Sequence, residues 1–201
     1  DLVSTGSGKT TCSWLHPVEE KALFASSHED PAAKDKQKVE LEFRESGKAR
    51  KYSWDYDEWY DIFEKDLNSG NLRNLTNARG YDAEGCYSPD GKLIVFASNR
   101  QAYERDLSEE EKKIHERDKS YFSEIFIMNS DGSNLQRLTN VAGYDGGPFF
   151  NADGTQICWR RFSENGHQAE IYVMNVDGSE QRKLTNLGKM SWAPFFHPSG
   201  K

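Results

Sequence analysis

This sequence contains one fifteen-residue pattern three times, and few folds are compatible with such a repeat. The three copies align without gaps: IFEKDLNSGNLRNLT (62–76), IFIMNSDGSNLQRLT (125–139) and IYVMNVDGSEQRKLT (171–185). Each copy has alternating apolar residues, a turn rich in Asn, Asp, Ser and Gly, and a short second stretch that ends in Leu-Thr. This pattern is typical of a β-hairpin, because glycine adopts the positive φ that the turn needs. The sequence therefore predicts the same hairpin three times.

A second shared unit follows each Leu-Thr pair. Its copies are GYDAEGCYSPDGKLIVFASNR (80–100), GYDGGPFFNADGTQICWRRFS (143–163) and the shorter KMSWAPFFHPSGK (189–201). The unit predicts a strand, a tight turn, and a second strand rich in β-forming residues such as LIVF (93–96). Together with the hairpin this makes four strands per repeat, and such a sheet buries both faces only by stacking on its neighbours. The repeat therefore predicts the blades of a β-propeller.

The opening stretch VSTGSGKTT resembles a phosphate-binding loop, since it contains Gly8-Lys9-Thr10. The full motif requires another glycine five residues before Gly8, and that position holds Val3. It also requires an amphipathic helix after the loop, whereas the residues that follow have no helical apolar period. The stretch fits the repeat instead, with Trp14 at the position of Cys86. We therefore predict that it is a glycine-rich turn between two blades.

The predicted fold is all-β: a partial β-propeller of three four-stranded antiparallel blades, with part-blades at both ends and helical insertions. The predicted boundaries are 1–10 for the end of a preceding blade and the inter-blade connection, 11–79 for a blade with insertion 28–59, 80–142 for a blade with helical insertion 101–122, 143–187 for a blade, and 188–201 for the first strand of a further blade. Three blades cannot close a ring, because propellers have 4–8. We expect either a piece of a longer chain or copies that assemble into a ring, and association through open blade faces.

Both insertions carry signals for helices. The second has Ser108 followed three residues later by Glu111, which is a capping box. The first has Asp30-Pro31, an N-cap residue followed by proline at the first helical position, and its helix is predicted to end near Gly47. Loops of this length in a compact repeat are commonly functional, although both helices also fit solvated decorations.

Composition restricts the partners of the chain. The 201 residues carry a net charge of −7, which argues against nucleic acid or an anionic membrane surface as the main partner. No apolar run approaches the roughly 20 residues that span a bilayer, so no membrane insertion is predicted. The cysteines Cys12, Cys86 and Cys158 are odd in number and lack the spacing of metal ligands, so they do not identify a cellular compartment.

The segments YSPDGKLIVFASNR and EIFIMNSDGSNLQRLTN resemble the repeat of TolB-type propellers, which are also called WD40-like or PD40 repeats. The first and third blades depart from the pattern at the turn, with HPVE (16–19) and NAD (151–153). The resemblance implies a periplasmic or secreted bacterial protein. Members of this family include protein-interaction platforms, propeller modules beside peptidases, and a few metal-dependent lyases.

A candidate site lies where a propeller gathers its inter-blade connections and the loops between second and third strands, on one face around the channel. The repeat register and the aromatic cluster YSWDYDEWY (52–60) predict a ligand-binding rim of Asp82, Glu84, Asp145, His28, Arg100, Trp54 and Trp59. Within this set, Asp82, Asp145 and His28 are predicted ligands for Ca²⁺ or Mn²⁺. The alternative for the aspartates is that they accept hydrogen bonds from loop amides and fix the turns. The alternative for the aromatic residues is that they pin the insertion onto its blade.

Three functions are compatible with this rim. We predict a non-catalytic binding or scaffold module that presents the rim to a protein, a peptide or a glycan. The alternatives are a metal-dependent lyase or hydrolase working at the same rim, and the propeller part of a larger hydrolase. A lyase of this type should direct several histidines at the channel, and only His28 is predicted there. No set of nucleophile and base is arranged in the sequence so that catalytic residues could be named.

Overall fold

A computed structural model describes residues 2–50, 54–197 and 199. It contains three four-stranded antiparallel sheets, each formed by four strands in chain order, which confirms the predicted partial β-propeller. The first blade has β1 (Thr10–Leu15), β2 (Lys21–Ser26), β3 (Asp61–Asp66) and β4 (Leu72–Asn74). The second blade has β5 (Asp82–Tyr87), β6 (Leu93–Ser98), β7 (Glu124–Asn129) and β8 (Gln136–Arg137). The third blade has β9 (Asp145–Phe150), β10 (Gln156–Phe162), β11 (Ala169–Asn175) and β12 (Arg182–Lys183).

Helices occur between the second and third strands of the first two blades. The first insertion contains α1 (Ala33–Glu45), and the second contains α2 (Gln101–Glu104), α3 (Glu109–Arg117) and a 3₁₀ turn (Lys119–Phe122). The capping box of Ser108 and Glu111 is formed at the start of α3, as predicted. The N-terminus of α1 lies two residues later than its signal, because Asp30 accepts a hydrogen bond from the backbone of Ala32 in a turn before the helix.

The core consists of apolar layers between adjacent blades. Leu23 and Ile62 of the first blade pack with Phe96, Phe126 and Met128 of the second. The opposite face of the second blade packs on the third, and that layer includes Val95, Ile125, Ile127, Ile157, Trp159 and Met174. Each fully buried side chain of this kind contributes roughly 1.5–3 kcal/mol. Successive residues of a strand point to opposite faces, and both faces of the second blade are therefore buried, as blade stacking requires.

Each blade has a β-bulge in its first strand. Two residues there face one residue of the second strand, and the bulged residue has a positive φ: 50° at Cys12, 59° at Glu84 and 60° at Gly147. The corresponding residue of the last segment, Ala193, has a φ of 49°. The four residues lie at one position of the sequence repeat, so the bulge is a property of the repeat.

The Leu-Thr pair that ends each hairpin has a structural role. The hydroxyl of Thr139 donates to the carboxylate of Glu124 at 2.5 Å and accepts from the backbone N–H of Ile125 at 2.9 Å. The other blades repeat this arrangement, with Thr76 on Asp61 and Thr185 on Glu170. The acidic residue lies at or next to the start of the third strand in every blade, so the threonine ties that strand to the blade's edge.

The predicted part-blades contain no strands among residues 2–9 and 188–197. The last segment makes one bridge, between Met190 and Ala169. Its Phe195 ring packs at 5.4 Å from Phe149 and 6.5 Å from Trp14, which brings three first-strand positions together at the centre. Residues form a strand only when they pair with a neighbouring strand. The repeat register places no second strand beside this segment within residues 1–201. Residues 198, 200 and 201 of the predicted strand lie outside the described residues.

Candidate functional site

The predicted rim residue Asp82 is fully buried in the second blade. Its carboxylate accepts hydrogen bonds from Arg100 Nη2 and from Ser98 Oγ, both at 2.5 Å. Burial raises the pKa of Asp82 to about 6, although Arg100 acts in the opposite direction. Two predicted rim residues, Asp82 and Arg100, are therefore partners in one internal ion pair.

The third blade has the same design with a different arginine. Both oxygens of Asp145 accept from Arg161, at 2.8 and 2.6 Å, and Asp145 is 1% exposed. The guanidinium of Arg161 also lies 4.7 Å from the ring centre of Tyr172. Burial raises the pKa of Asp145, against the effect of Arg161. The Asp145 carboxylate therefore has its hydrogen-bond partner within its own blade.

Glu84 connects the second blade to the third. Its carboxylate accepts from the Tyr144 hydroxyl at 2.7 Å, the backbone N–H of Gly147 at 2.6 Å and Arg160 Nη2 at 2.9 Å. The guanidinium of Arg160 lies 4.5 Å from the ring centre of Trp192. Because all these groups are charged or polar and largely buried, the network fixes the relative position of the two blades.

The first blade lacks such an ion pair. Thr10 occupies the position of Asp82, and His28 occupies that of Arg100. The His28 ring lies 4.2 Å from the Phe63 ring, and its Nδ1 is 3.0 Å from the Ser26 hydroxyl. Burial lowers the pKa of His28, so the imidazole is predominantly neutral at pH 7.

The three predicted metal ligands do not come together among the described residues. Asp82, Asp145 and His28 belong to three different blades, and each has a separate partner. Within residues 2–50, 54–197 and 199, no group of three or more His, Cys, Asp or Glu side chains is arranged to hold a metal ion. The structure also differs from the alternative in which loop amides bind the aspartates, because arginine side chains hold Asp82 and Asp145. Binding of Ca²⁺ or Mn²⁺ by the chain stays an untested prediction.

The aromatic cluster of the first insertion covers part of the rim. The Tyr56 ring lies 5.0 Å from Tyr81 of the second blade and 6.0 Å from Tyr144 of the third. The Tyr60 ring lies 5.4 Å from Tyr81, and both are buried. These tyrosines pack the insertion against the second and third blades, whereas the alternative for the cluster placed it on its own blade. Residues 52 and 53 of the cluster lie outside the described residues.

The two tryptophans of the cluster differ in their surroundings. Trp54 is 38% exposed, and its indole N–H donates to the Tyr81 hydroxyl at 2.6 Å. Trp59 instead packs under the guanidinium of Arg79, at 4.8 Å, and Arg79 pairs with Glu58 at 2.8 Å. Trp54 therefore presents a fixed, open ring, whereas Trp59 supports the insertion.

Two clefts adjoin at Trp54. Cleft A has a volume of about 640 Å³ and lies between the start of the first blade, α1 and the cluster; it is lined by Lys9, Thr10, Thr11, Glu40, Arg44, Arg50, Trp54, Asp55 and Tyr60. Cleft B has a volume of about 400 Å³ and lies between the two insertions; it is lined by Lys36, Trp54, Asp55, Tyr56, Asp57, Glu58, Glu116, Arg117, Asp118 and Lys119. Both volumes fall within the range of ligand sites.

Cleft A has two guanidinium groups on one carboxylate. Arg50 donates to both oxygens of Glu40 at 2.9 Å, and Arg44 Nε donates to the same group at 2.8 Å. These hydrogen bonds lower the pKa of Glu40 to about 2. The Lys9 ammonium pairs with Asp55. The basic side chains outnumber the acidic ones on this wall.

In cleft B the balance of charge is reversed. The Lys36 ammonium lies between two buried carboxylates, 2.6 Å from Asp30 and 2.8 Å from Asp57. The wall formed by the second insertion carries the exposed Glu116 and Asp118 beside the exposed Arg117 and Lys119, and Asp55, Asp57 and Glu58 line the wall formed by the first. Acidic side chains outnumber basic ones here, and Trp54 marks the boundary between the two clefts.

Comparison with known proteins gives the fold a name. No protein-family model matches the chain. An uncharacterized protein of Agrobacterium fabrum, Atu1656, is 28% identical over 111 residues, which are 55% of this chain and 31% of that protein. A structure assigned to TolB of Agrobacterium tumefaciens matches 92% of this chain and 52% of its own length, with a TM-score of 0.60 and 19% identity. TolB of Acinetobacter baumannii matches 91% of this chain and 34% of its own length, with a TM-score of 0.57 and 17% identity.

The fold is that of a TolB-type β-propeller. The chain spans about half the length of one TolB structure and about a third of the other. Within the described residues of this TolB-type propeller, no helix is long and apolar enough to cross a membrane.

Several residues that shape the rim of this TolB-type propeller were not predicted from the sequence. Arg160 and Arg161 hold Glu84 and Asp145, and Tyr81 and Tyr144 anchor the insertion. Adjacent arginines in the middle of a β-rich segment are an available signal, because burial of that segment obliges them to find acidic partners. The tyrosines belong to the repeated Gly-Tyr-Asp triplet, so the repeat itself is an available signal for them.

Proposed function

We propose that this TolB-type propeller is a non-catalytic binding module that receives a protein or peptide on its rim face, at Trp54 and the two clefts beside it. The observation that carries the proposal is the state of Trp54. Its ring is 38% exposed, fixed by a hydrogen bond to Tyr81, and bordered by a cleft on each side. A rigid, open indole between polar walls is a strong contact for a partner, because little conformational entropy is lost on binding.

The rim acids support binding over catalysis. The carboxylates of Asp82, Glu84 and Asp145 are each held by an arginine in the blade core, which leaves them poorly placed to exchange protons with a substrate. The chain uses its charged rim residues to align blades, and the insertions build the accessible surface above them. A structure in which buried charges align the blades and the insertions form the accessible surface suits a scaffold that presents a binding surface.

The proposal extends to partner class and location. The net charge of −7 disfavours nucleic acid, so the partner is a protein or peptide, with a glycan as the competing ligand class. The resemblance to TolB-type propellers supports a periplasmic or secreted location. Fractionation of the source cells with an antibody against this chain tests the location, and recovery in the cytoplasm would contradict it.

The function is tested with peptide and glycan arrays probed by the purified chain and two variants. We expect binding to a subset of peptides, weakened at least about tenfold by Trp54→Ala, the typical effect of removing an interface hot spot. Trp192→Ala is the matched control, because Trp192 is also exposed and lines neither cleft. Equal effects of the two substitutions, or ligands confined to the glycan array, would contradict the proposal.

A further inference from the structure

The two clefts have opposite excess charge on either side of one aromatic ring. Cleft A has Lys9, Arg44 and Arg50 against Glu40 and Asp55. Cleft B has five acidic side chains, including Asp57, Glu116 and Asp118, against three basic ones. Asp55 and Trp54 belong to both clefts, so the surface is continuous from the basic end to the acidic end.

The charges at the basic end are accessible to a partner. The side chain of Arg44 is 72% exposed and that of Arg50 is 56% exposed, and both share the single carboxylate of Glu40. Arg44 uses only its Nε toward Glu40. An incoming carboxylate therefore finds guanidinium N–H groups in the geometry that favours bidentate pairing.

The acidic end has two carboxylates below its surface, and both have ammonium partners. Asp30 and Asp57 are 6% and 8% exposed, the Lys36 ammonium lies between them, and the Lys9 ammonium lies 3.9 Å from Asp57. These two carboxylates are balanced by two ammonium groups, so the negative excess of cleft B is that of its lining, with five acidic side chains against three basic ones. Cleft B is therefore a favourable location for a further ammonium or guanidinium.

From this arrangement we infer that the clefts form one groove for an extended segment of a partner protein, with acidic residues in cleft A, an apolar residue on Trp54 and basic residues in cleft B. The inference rests on the proposed function and adds the chemistry and direction of the partner. Opposite charges at the two ends also reject segments of uniform charge, since one end is then repelled. The first insertion contributes α1 and Trp54, so the groove lies on this chain's own additions to the blades.

The inference is tested by fluorescence anisotropy with labelled heptapeptides and the whole chain. The probes EEEFKKK and EKEFKEK have the same composition and net charge, and a seven-residue extended peptide reaches about 23–25 Å. We expect EEEFKKK to bind about tenfold more tightly than EKEFKEK, because only the former separates its charges as the groove does. The difference should shrink at 1 M salt, where screening is strong.

Half-charged probes, which are peptides charged at one end only, identify which end of the groove binds which charge. The double variant Arg44→Glu, Arg50→Glu should weaken EEEFSSS and leave SSSFKKK unchanged, whereas Glu116→Lys should do the reverse. Arg182→Glu and Glu20→Lys are matched controls, because both side chains are exposed and line neither cleft. All these positions are exposed, so the variants should unfold at the temperature of the parent chain.

The outcomes separate the inference from the function. Equal affinity for EEEFKKK and EKEFKEK, or no binding of either, would overturn the groove while leaving array ligands that depend on Trp54 to support the binding module. An absence of array ligands would overturn the binding module itself. Charge reversals with identical effects on both half-charged probes would also overturn the assigned direction.

Discussion

At the scale of single residues, the first-strand bulge shows how backbone geometry and side-chain chemistry are linked. Glu84 has a φ of 59°, a conformation that costs a residue with a Cβ roughly 1–2 kcal/mol. In return, its side chain reaches Gly147 and Arg160 of the next blade. Gly147 occupies the same position in the third blade without that cost, and there the space of a side chain is taken by Arg160.

We predict that Gly147→Ala destabilises the chain by more than backbone strain alone. A Cβ on Gly147 would lie 2.2 Å from Arg160 Nη1, so Arg160 would have to leave Glu84. Gly166→Ala is the matched control, since its φ of 71° is similar and nothing lies within 4 Å of the added carbon. Denaturant unfolding should show a loss of about 1 kcal/mol for the control and about 3 kcal/mol for Gly147→Ala. Equal losses would contradict the role given to Arg160.

A second residue-scale prediction concerns the pH dependence of stability. The pKa of Asp82 is about 6 in the folded chain and about 4 when unfolded, so the folded state binds the proton more tightly. Its contribution to the free energy of unfolding is therefore complete below about pH 4 and is lost as the pH rises through about 6. We expect a fall of at most about 3 kcal/mol across this range, which is absent in Asp82→Asn.

The control for this titration is Asp131→Asn in an exposed turn. Hydrogen bonds from Ser133 lower the pKa of Asp131, so its small contribution has the opposite sign and grows as the pH rises. The measurement is urea unfolding of the three proteins at several pH values from 4 to 7. If the free energy of unfolding of the wild type rises with pH relative to that of Asp82→Asn, then Arg100 lowers the pKa of Asp82 by more than burial raises it.

At the scale of structural elements, the threonine of each Leu-Thr pair connects a hairpin to the acidic residue near the start of its third strand. We predict that Thr139→Val costs about 2–3 kcal/mol, because a buried carboxylate of Glu124 and the N–H of Ile125 would both lose a partner. Thr155→Val is the control, since the Thr155 hydroxyl bonds Asp153 in an exposed turn and its loss should cost under about 1 kcal/mol. Thermal unfolding measured by circular dichroism distinguishes the two, and similar midpoints would contradict this role.

The blades were predictable from the sequence, whereas most of the site was not. Strand alternation and turn glycines are local signals, and the three copies at 62–76, 125–139 and 171–185 reinforce one another. The partners of Asp82 and Asp145 depend on which side chains face each other across strands, and a register prediction for backbone position does not give side-chain direction. Trp54 was identified, but the clefts around it depend on how two insertions fold over the rim. No repeat constrains those insertions.

At the scale of the whole molecule, the exposed surface is large for the mass. The accessible area is 11437 Å², whereas a compact 23 kDa monomer exposes about 9,600 Å². Large apolar side chains are exposed in the last segment, where Trp192 is 59% and Phe195 is 64% exposed. Such surface favours association, as expected for a stack of blades with open ends.

We predict that the chain associates in a concentration-dependent manner and that Trp192→Ser with Phe195→Ser reduces the association. The matched control is Val39→Ser with Leu41→Ser, because these residues are also exposed, at 65% and 51%, but belong to α1 of the first insertion and not to the last segment. Sedimentation velocity at several concentrations measures the effect. An equal reduction by the control pair, or a strictly monomeric parent chain, would contradict this account.

The bulge also has a consequence for how such a protein can diversify. At one repeat position the four first-strand segments carry a thiol, a carboxylate, a hydrogen and a methyl group, in Cys12, Glu84, Gly147 and Ala193, with almost the same backbone angle. In the three blades the pairing on either side of the bulge is the same, whatever side chain stands at this position. The repeat thus holds one backbone angle while the side chain differs from blade to blade, and a change of chemistry there has to be matched by the neighbouring blade, as Arg160 shows at Gly147.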